Sequence, residues 1–478
     1  MPNMLASLAS TADTLAAYSR VLEATQSNVA NASTPGYAKQ RIDLYALPFD
    51  PHGGATGGVR AGDIQSARNE YAEQAVRTQT TGLGYQSQLA DGLTVLQTNF
   101  DISGNQGIPQ ALNNLLQSFS AWGANPADPS ARQAVLQRAD AFAQAFNQTA
   151  NSVAAFSRDT ERQIGSTVGQ INQIVGQIRG YNQLALQGNK NDAGLSARTH
   201  AALEQLTTLA NVQSVFENDG TVSLTLNGQT PILLGDQQYP ISASLYQAAE
   251  PPPVNLLGAG SMRLQASDGS EVTSSGGQLG ALLKLRNEVI PSLIGDQYQT
   301  GDLNQMAKAF ADRVNGLLTS GNVTDGPPPQ AGAAIFTYST GDATSTAASL
   351  SVDPAVTQDQ LAAIQTGPPE VSNGIPLALS ALAVPSQDSD RINGLSFSRF
   401  YGQTAGRVGG LLSDAQNNKD VQQSLLGQAK DLRQQYQGVS LDEEATVLMQ
   451  FQRAYQANAK FLSVLDQLTQ TAIDILRV

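Results

Sequence analysis

The chain of 478 residues contains no cysteine and only two histidines, His52 and His200. The absence of cysteine excludes disulfides, thiolate catalysis, cysteine-ligated zinc and iron–sulfur clusters. A histidine-based metal site or a serine–histidine–aspartate triad has to use one of these two histidines, and no GxSxG motif accompanies them. We therefore expect both histidines to be ordinary surface or packed residues. We also expect no catalytic residue, no bound metal and no cofactor.

Charge and long apolar runs are scarce as well. Charged residues make up 14% of the chain, and the formal net charge is −13. An acidic balance repels phosphate backbones, which disfavours nucleic acid as a partner. No stretch approaches the ~18 consecutive apolar residues of a membrane span, so we expect no membrane insertion. The first basic residue is Arg20 and no continuous apolar segment follows the N-terminus, so no cleaved signal peptide is expected.

Both ends of the chain carry a seven-residue apolar repeat. Residues 4–32 predict a helix, and Ser440 with Glu443 predicts a capping box at the start of a last helix. Because a lone pair of such helices leaves half of its apolar stripe in water, we expect the pair to associate with further copies of itself. Packing of both helices on the central bundle is an alternative that periodicity does not exclude. The repeat residues are Leu8, Leu15, Leu22 and Val29 at one end, and Leu441, Leu448, Tyr455 and Leu462, with Phe451 and Leu465 beside them, at the other.

A turn is predicted directly after the first helix. Pro35 disfavours helical backbone at Thr34, and Pro35-Gly36 suits a type II turn in which Gly36 has a positive φ. We expect this turn to redirect the chain from the inner helices towards the outer part of the molecule. Tyr37 is expected to anchor the exit by packing its ring against a neighbour. Together with Asn31, these residues complete our candidate assembly site.

Between its ends the chain alternates between helical and strand patterns. A helix of roughly 85 Å is expected from Ser130 to about Gly188, strands from residue 212 with a hairpin at Asn227-Gly228, and renewed helix from Leu279 to Gly321. The predicted fold is mainly α with a smaller β-domain, built from nested discontinuous domains in which the N- and C-terminal helices form a coiled coil and long helices form a bundle in the middle. The expected domains are a terminal coiled-coil assembly domain (1–40 and 440–478), a helical bundle domain (41–210, 277–325 and 373–439) and an outer β-domain (211–276 and 326–372).

Two segments carry a family resemblance. Residues 27–37, with the sequence SNVANASTPGY, resemble the N-terminal signature of bacterial flagellar axial proteins. Residues 438–460, which begin GVSLDEEA, are similar to the C-terminal helix of the same family. Rod and hook proteins share the first motif, whereas the start of the last helix, the long central helices and the chain length favour the hook-associated junction proteins.

The resemblance implies a mechanical function outside the cell. It implies export through the flagellar type III channel without a cleaved signal peptide, with an export chaperone bound to the C-terminal helix. It further implies self-association in a helical lattice at the hook–filament junction, in contact with the hook protein and with a second hook-associated junction protein.

Three other classes of protein stay open on the sequence. Another flagellar axial protein, of the hook or rod type, shares the same terminal motif. An enzyme could use a carboxylate pair such as Asp388 and Asp390, or Asp442 with Glu443 and Glu444, for acid–base chemistry. A secreted coiled-coil adhesin or membrane-inserting protein is disfavoured, because the terminal helices have modest apolar faces and lack a lysine and arginine belt for anionic lipid.

Overall fold

The computed structural model describes residues 2–50, 55–100, 106–246, 260–296, 298–326, 328–339 and 345–476. His52, one of the two histidines, lies outside them. The helices are α1 (Pro2–Ala30), α2 (Glu70–Gln97), α3 (Gly107–Ala124), α4 (Pro129–Leu184), α5 (Ala193–Leu209), α6 (Gly277–Lys284), α7 (Ile290–Ile294), α8 (Asp302–Ser320), α9 (Thr346–Ser349), α10 (Gly374–Ser380), α11 (Phe397–Gln437) and α12 (Leu441–Leu476).

Short strands fill the intervals between the helices. They are β1 (Gln40–Ala46), β2 (Phe49–Asp50), β3 (Ala55–Thr56), β4 (Val59–Ser66), β5 (Val212–Phe216), β6 (Val222–Leu226), β7 (Thr230–Leu234), β8 (Gln237–Gln238), β9 (Ser242–Tyr246), β10 (Ser261–Gln265), β11 (Glu271–Val272), β12 (Gly321–Thr324), β13 (Gln330–Ala331), β14 (Phe336–Thr337), β15 (Ser351–Val352) and β16 (Ile364–Gln365). The mainly α class with a smaller β part is therefore confirmed.

Helix α4 is the spine of the molecule. Its 56 residues span about 84 Å at a rise of ~1.5 Å per residue, which agrees with the predicted length. Asp128, rather than Ser130, is the N-cap: its carboxylate accepts a hydrogen bond from the backbone N–H of Ser130 at 2.9 Å. The helix ends in a π-helical turn, Ala185–Asn189, where Gly188 has a φ of +104°.

Two apolar cores lie along this spine. The first half of α4 packs with α2, α3, α8 and α11 around the aromatic residues Trp122, Phe142 and Phe310. The second half packs with α5, α6 and the strands β5–β11 around Ile171, Leu206 and Leu224. One long helix thus contributes opposite ends to two separate hydrophobic clusters.

The outer strands form antiparallel sheets in the orders β5-β6-β7-β8 and β11-β10-β9. The hairpin predicted at Asn227-Gly228 is present, with φ values of +53° and +70° at these two residues. The described strands between 326 and 372 behave differently from the expectation that they share a β-domain with residues 211–276. They lie in sheets of their own, and Phe336 and Leu350 are buried in the first core.

The predicted helix from Leu279 to Gly321 is interrupted. It consists of α6, a π-helical turn, α7 and α8, and the described residues between α7 and α8, 295–296 and 298–301, are not helical. Gly295 and Gly301 have φ values of +85° and +78°, and a Cβ atom on Gly301 would lie 2.2 Å from the backbone nitrogen of Gly295. Only glycine fits this close backbone crossing, which ends α7 before α8 begins.

A two-stranded β-ribbon lies against α1. Strands β1 and β4 pair antiparallel, with Ile42 opposite Ile64. Thr14 of α1 accepts a hydrogen bond from the backbone N–H of Val59 at 3.1 Å, and the Ser10 hydroxyl donates to the carbonyl of Gly57. The pairing of β1 with β4 was not predicted, because a two-stranded ribbon depends on the helix beneath it and not only on its own sequence pattern.

The turn after α1 has the predicted geometry. Gly36 has a φ of +74°, and the Tyr37 N–H donates to the carbonyl of Thr34 at 3.1 Å. The turn rests directly on α5, since a Cβ atom on Gly36 would lie 2.3 Å from the carbonyl oxygen of Ala197. Gly36 is therefore required both by its backbone conformation and by the close approach.

His200 of α5 is a packed residue, as expected. Its ring stacks on Phe216 with centroids 4.8 Å apart, and its Nδ1 lies 3.9 Å from Glu73. Burial holds the pKa of His200 well below its usual range, and the guanidinium groups of Arg68, Arg77 and Arg433 lower it further.

Among the described residues no helix is both long and apolar enough to cross a membrane.

The turn makes a first testable prediction. Gly36→Val should lift the turn from α5 at a local cost of about 1–3 kcal/mol, because a β-branched residue resists positive φ and its Cβ meets the Ala197 carbonyl. Hydrogen exchange should accelerate in residues 34–39, while thermal unfolding of the central helices changes little. Gly188→Val is the matched control, since Gly188 has positive φ with no atom near its would-be Cβ. Unchanged exchange at 34–39 in Gly36→Val contradicts the contact.

His200 makes a second prediction. The unfolded chain binds a proton near the ordinary histidine pKa of ~6.5, whereas the folded chain does not, so stability is fully present above that pH and falls below it. One such proton contributes a slope of at most about 1.4 kcal/mol per pH unit. Denaturant unfolding at pH 7.5 and 5.5 should show this loss, and His200→Phe should reduce it. If His52→Gln reduces the slope instead, the assignment to His200 is wrong.

Candidate functional site

The two terminal helices meet. The rings of Tyr18 on α1 and Phe451 on α12 lie 5.6 Å apart. Leu8, Leu15 and Leu22 are half-buried, while Val29 is 42% exposed. Other residues of α1 are more deeply buried than this repeat, and most of them are small or polar. Helix α1 packs on the ribbon and on α12. Its buried residues are Thr11, Thr14, Ala17, Val21, Ala24, Thr25 and Asn28. The helices pair, and a coiled-coil geometry between them stays a prediction.

Helix α12 is apolar on more than one side. Leu448, Phe451, Leu462 and Leu465 are half-buried, whereas Leu441 and Tyr455 are 55% and 38% exposed. A second row, which the predicted repeat did not include, leaves about half of each side chain in water. It consists of Phe461, Val464 and Leu468, at 53%, 51% and 50% exposure. Residues three and four apart share a helix face, so this row forms an apolar stripe that no part of the described chain covers.

Asn28 connects four segments near the base of the helix pair. Its side-chain N–H groups donate to the Gln40 carbonyl at 2.8 Å and to the Glu444 carboxylate at 3.0 Å. Its side-chain oxygen accepts from the Gln40 N–H at 2.8 Å and from the Tyr37 hydroxyl at 3.0 Å. Asn28 is 2% exposed, and all four hydrogen-bonding positions of its amide are used.

Glu444 and Lys39 complete this group, which we call the terminal clasp (Asn28, Tyr37, Lys39, Gln40 and Glu444). The Glu444 carboxylate is 2% exposed and lies 3.0 Å from the Lys39 ammonium. Burial lowers the pKa of Lys39, but hydrogen bonds to Glu443 and Glu444 outweigh it and the net pKa is raised. Burial raises the pKa of Tyr37, and the negative charge of Glu444 adds to this effect against the opposing bond from Ser27. A buried carboxylate with two donors ties α12 to the first helix.

The clasp was missed because each member has an ordinary local explanation. Asn28 lies inside the recognised motif, and Glu444 lies with Asp442 and Glu443 in the first turn of α12, where the helix dipole favours anions. The predicted capping box is half formed: the Ser440 hydroxyl accepts from the Glu443 N–H at 3.4 Å, whereas the Glu443 carboxylate binds Lys39 at 2.9 Å. Only the fold shows that these residues meet.

The turn residues occupy the rim of the clasp. Asn31 is half-buried and donates to the carbonyl of Ser27 at 2.9 Å, and Pro35 is exposed. Tyr37 uses its hydroxyl within its own chain, in the bond to Asn28, rather than presenting it outward.

The carboxylate pairs considered for catalysis have structural partners. Asp390 is bound by Arg313 at 2.6 Å, and Asp388 lies 3.4 Å from Arg391. Within the ranges that the structure describes, no three acidic or histidine side chains cluster as metal ligands do.

Two segments of the chain match known protein families. Residues 93–336, just over half of the chain, match the family described as "Flagellar hook-associated protein FlgK helical domain". Residues 434–475 match "Flagellar basal body rod FlgEFG protein C-terminal". The second match covers the end of α11 and nearly all of α12.

Relatives with similar sequences cover most of the chain. The flagellar hook-associated protein 1 of Bacillus subtilis (strain 168) is 25% identical over 499 residues, which cover 96% of each chain. That of Escherichia coli (strain K12) is 22% identical, with 95% of this chain and 96% of the relative covered. That of Salmonella typhimurium (strain LT2) is 25% identical over 64% of this chain and 55% of its own.

A solved structure has a similar fold. It is the flagellar hook junction protein FlgK from Burkholderia pseudomallei, with a TM-score of 0.58, 17% identity, and coverage of 76% of this chain and 100% of that one. With the helical-domain match across more than half of its length, the chain belongs to the FlgK family of flagellar hook-associated proteins.

Proposed function

We propose that this chain is a structural protein of the bacterial flagellum that joins the hook to the filament. The observation that carries the proposal is the paired set of terminal helices, in which α12 keeps an exposed apolar stripe after pairing with α1. Such a stripe destabilises an isolated molecule and is buried when further copies pack beside it. A helical lattice of identical copies satisfies this requirement, and its two faces then meet different neighbours.

The assembly residues of this proposal are those of the terminal repeats and the turn. In this proposal Leu8, Leu15, Leu22 and Val29 of α1 form one edge of the assembly surface, and the repeat of α12 supplies the other. Asn31, Pro35, Gly36 and Tyr37 set the exit from the pair. The domain division (1–40 with 440–478, a helical bundle, and an outer β-domain) belongs to the same proposal, with the ribbon of β1 and β4 now seen beside α1.

The partners follow from that role. The proposed neighbours are further copies of the chain, the hook protein on one side and the second hook-associated junction protein on the other. An export chaperone would cover the C-terminal helix before assembly, because its apolar stripe needs protection in the cytoplasm. The location is the extracellular hook–filament junction, reached by type III export without a cleaved signal peptide.

Deletion of the gene tests the function. Electron microscopy of the deletion strain should show hooks without filaments, and flagellin should accumulate in the medium. Restoration by the intact gene on a plasmid is the control. Loss of the hook itself indicates a hook or rod protein instead, and normal filaments contradict any role in the flagellar axis.

The helix pair makes a third prediction. Leu448→Asp or Leu15→Asp places a charge in the α1–α12 contact and should cost several kcal/mol in the assembled state, because a buried unpaired carboxylate is strongly disfavoured. Secretion and thermal unfolding of the central helices should be retained, while filaments are lost from the cell. Motility and filament counts measure the effect.

Gln456→Asp is the matched control for that experiment. Gln456 lies on the same helix, is exposed and is outside the apolar rows. It should assemble normally. Wild-type filament numbers with either aspartate variant at Leu15 or Leu448 show that the pair does not hold the assembly together.

A further inference from the structure

Only two covalent connections join the terminal helices to the rest of the molecule. We call residues 2–66 and 441–476 the terminal module, since α1, the ribbon of β1 and β4, and α12 pack on one another. The chain leaves the module at residues 67–69, between β4 and α2, and re-enters it at residues 438–440, between α11 and α12. Two single-chain connections of three residues allow the module to tilt unless side chains fix them.

Both connections are held at the same place. The Gln437 side-chain carbonyl accepts from the Asn69 N–H at 3.1 Å, and the Gln437 backbone carbonyl accepts from the Lys39 N–H at 3.0 Å. The Gln437 side-chain N–H donates to the Glu73 carboxylate at 2.7 Å. Gln437 is 4% exposed, so the two connections meet in the interior.

Glu73, in the first turns of α2, is the centre of this group. Its carboxylate binds the Arg68 guanidinium of the first connection, and Arg433 near the end of α11 at 3.3 Å. Arg68 also donates to the carbonyl of Gly36 at 2.6 Å, which brings the turn into the same network. Arg433 extends the network to Glu204 of α5 at 2.9 Å.

Because Glu73 is buried, its negative charge has to be paired for this group of side chains to be stable. Glu73 is 3% exposed, and the side chain of Arg68 is 11% exposed. Charges in such an environment are stable only when they are paired, and removing one partner leaves the others uncompensated. Hook–filament joining as proposed above specifies no role for Glu73, Arg68, Arg433 or Gln437.

We propose that Glu73 is a positioning residue that locks the terminal module at one orientation to the helical bundle, by binding both chain connections through Arg68, Arg433 and Gln437. The proposal rests on the proposed function, because a lattice that joins two structures needs each copy to present its terminal helices at a fixed angle. Neutralising Glu73 frees the module to sample several angles while the two apolar cores stay folded.

Distance measurements on the isolated full chain test the lock. The chain contains no cysteine, so Gln423→Cys on α11 and Arg453→Cys on α12 provide two unique positions for spin labels, both exposed. The wild-type background should give one narrow distance distribution. Glu73→Gln should broaden it roughly twofold or more, because the joint then samples more than one state. Glu73→Asp, which keeps the charge, should be narrower than Glu73→Gln.

The controls separate a joint from general destabilisation. Glu161→Gln breaks another ion pair, with the buried Arg286 at 2.7 Å, far along the chain from both connections, and should leave the distribution narrow. Gln437→Leu removes the uncharged side chain that binds Asn69 and Glu73, and it should also broaden the distance distribution. This variant tests the proposal even if Glu73→Gln fails to fold. Thermal unfolding of each variant reports on the cores.

Each outcome decides the proposal. A broad wild-type distribution, an unchanged width in both Glu73→Gln and Gln437→Leu, or equal broadening in Glu161→Gln overturns the lock. Equal widths for the Asp and Gln variants of Glu73 also overturn it, since the charge is then not the cause. Because these measurements need no flagellum, they can fail while the deletion experiment still supports hook–filament joining, and the reverse also holds.

Discussion

The hydrogen bond between Asn28 and Glu444 joins the first helix of the chain to the last. These residues are 416 positions apart, and the helices that carry them can pair only if the whole intervening chain returns to its start. The amide of Asn28 has no unused donor or acceptor, so any shift of α12 relative to α1 leaves a buried polar group without a partner. The ribbon, the turn on α5 and the two chain connections all adjoin the segments that this hydrogen bond joins.

A second feature is that asparagine side chains on helices bind the backbone of neighbouring segments. Asn182 donates to and accepts from Val222, and Asn172 does the same with Ile241, so two helical asparagines hold the outer strands on α4. Asn315 binds the backbone of Phe336 in the same two-way manner. A low charged fraction is thus compatible with a well-specified fold, because each amide satisfies the backbone N–H and the backbone C=O of one residue in a neighbouring segment.

The cores and the termini have different physical requirements. Residues such as Trp122 and Phe310 are buried within one chain, so the central part of the molecule is complete as a monomer. Phe461, Val464 and Leu468 stay half in water, and their burial requires a second molecule. This separation lets an exported protein complete its cores alone and bury its last apolar stripe only where neighbours are present.

The sequence alone determined the fold class, the 56-residue helix, the Asn227-Gly228 hairpin, the positive φ of Gly36 and the family resemblance, because each depends on residues close together in the chain. It could not reveal that β4 pairs with β1, that the close approach of Gly295 and Gly301 interrupts a helical pattern, or that the described strands after residue 326 bury side chains in the first core. Nor could it find the terminal clasp or the Glu73 network. Asn28, Glu444, Glu73 and Gln437 each suit a helix locally, and only tertiary structure decided their roles, because a buried hydrogen bond between distant segments leaves no periodic signal in the sequence.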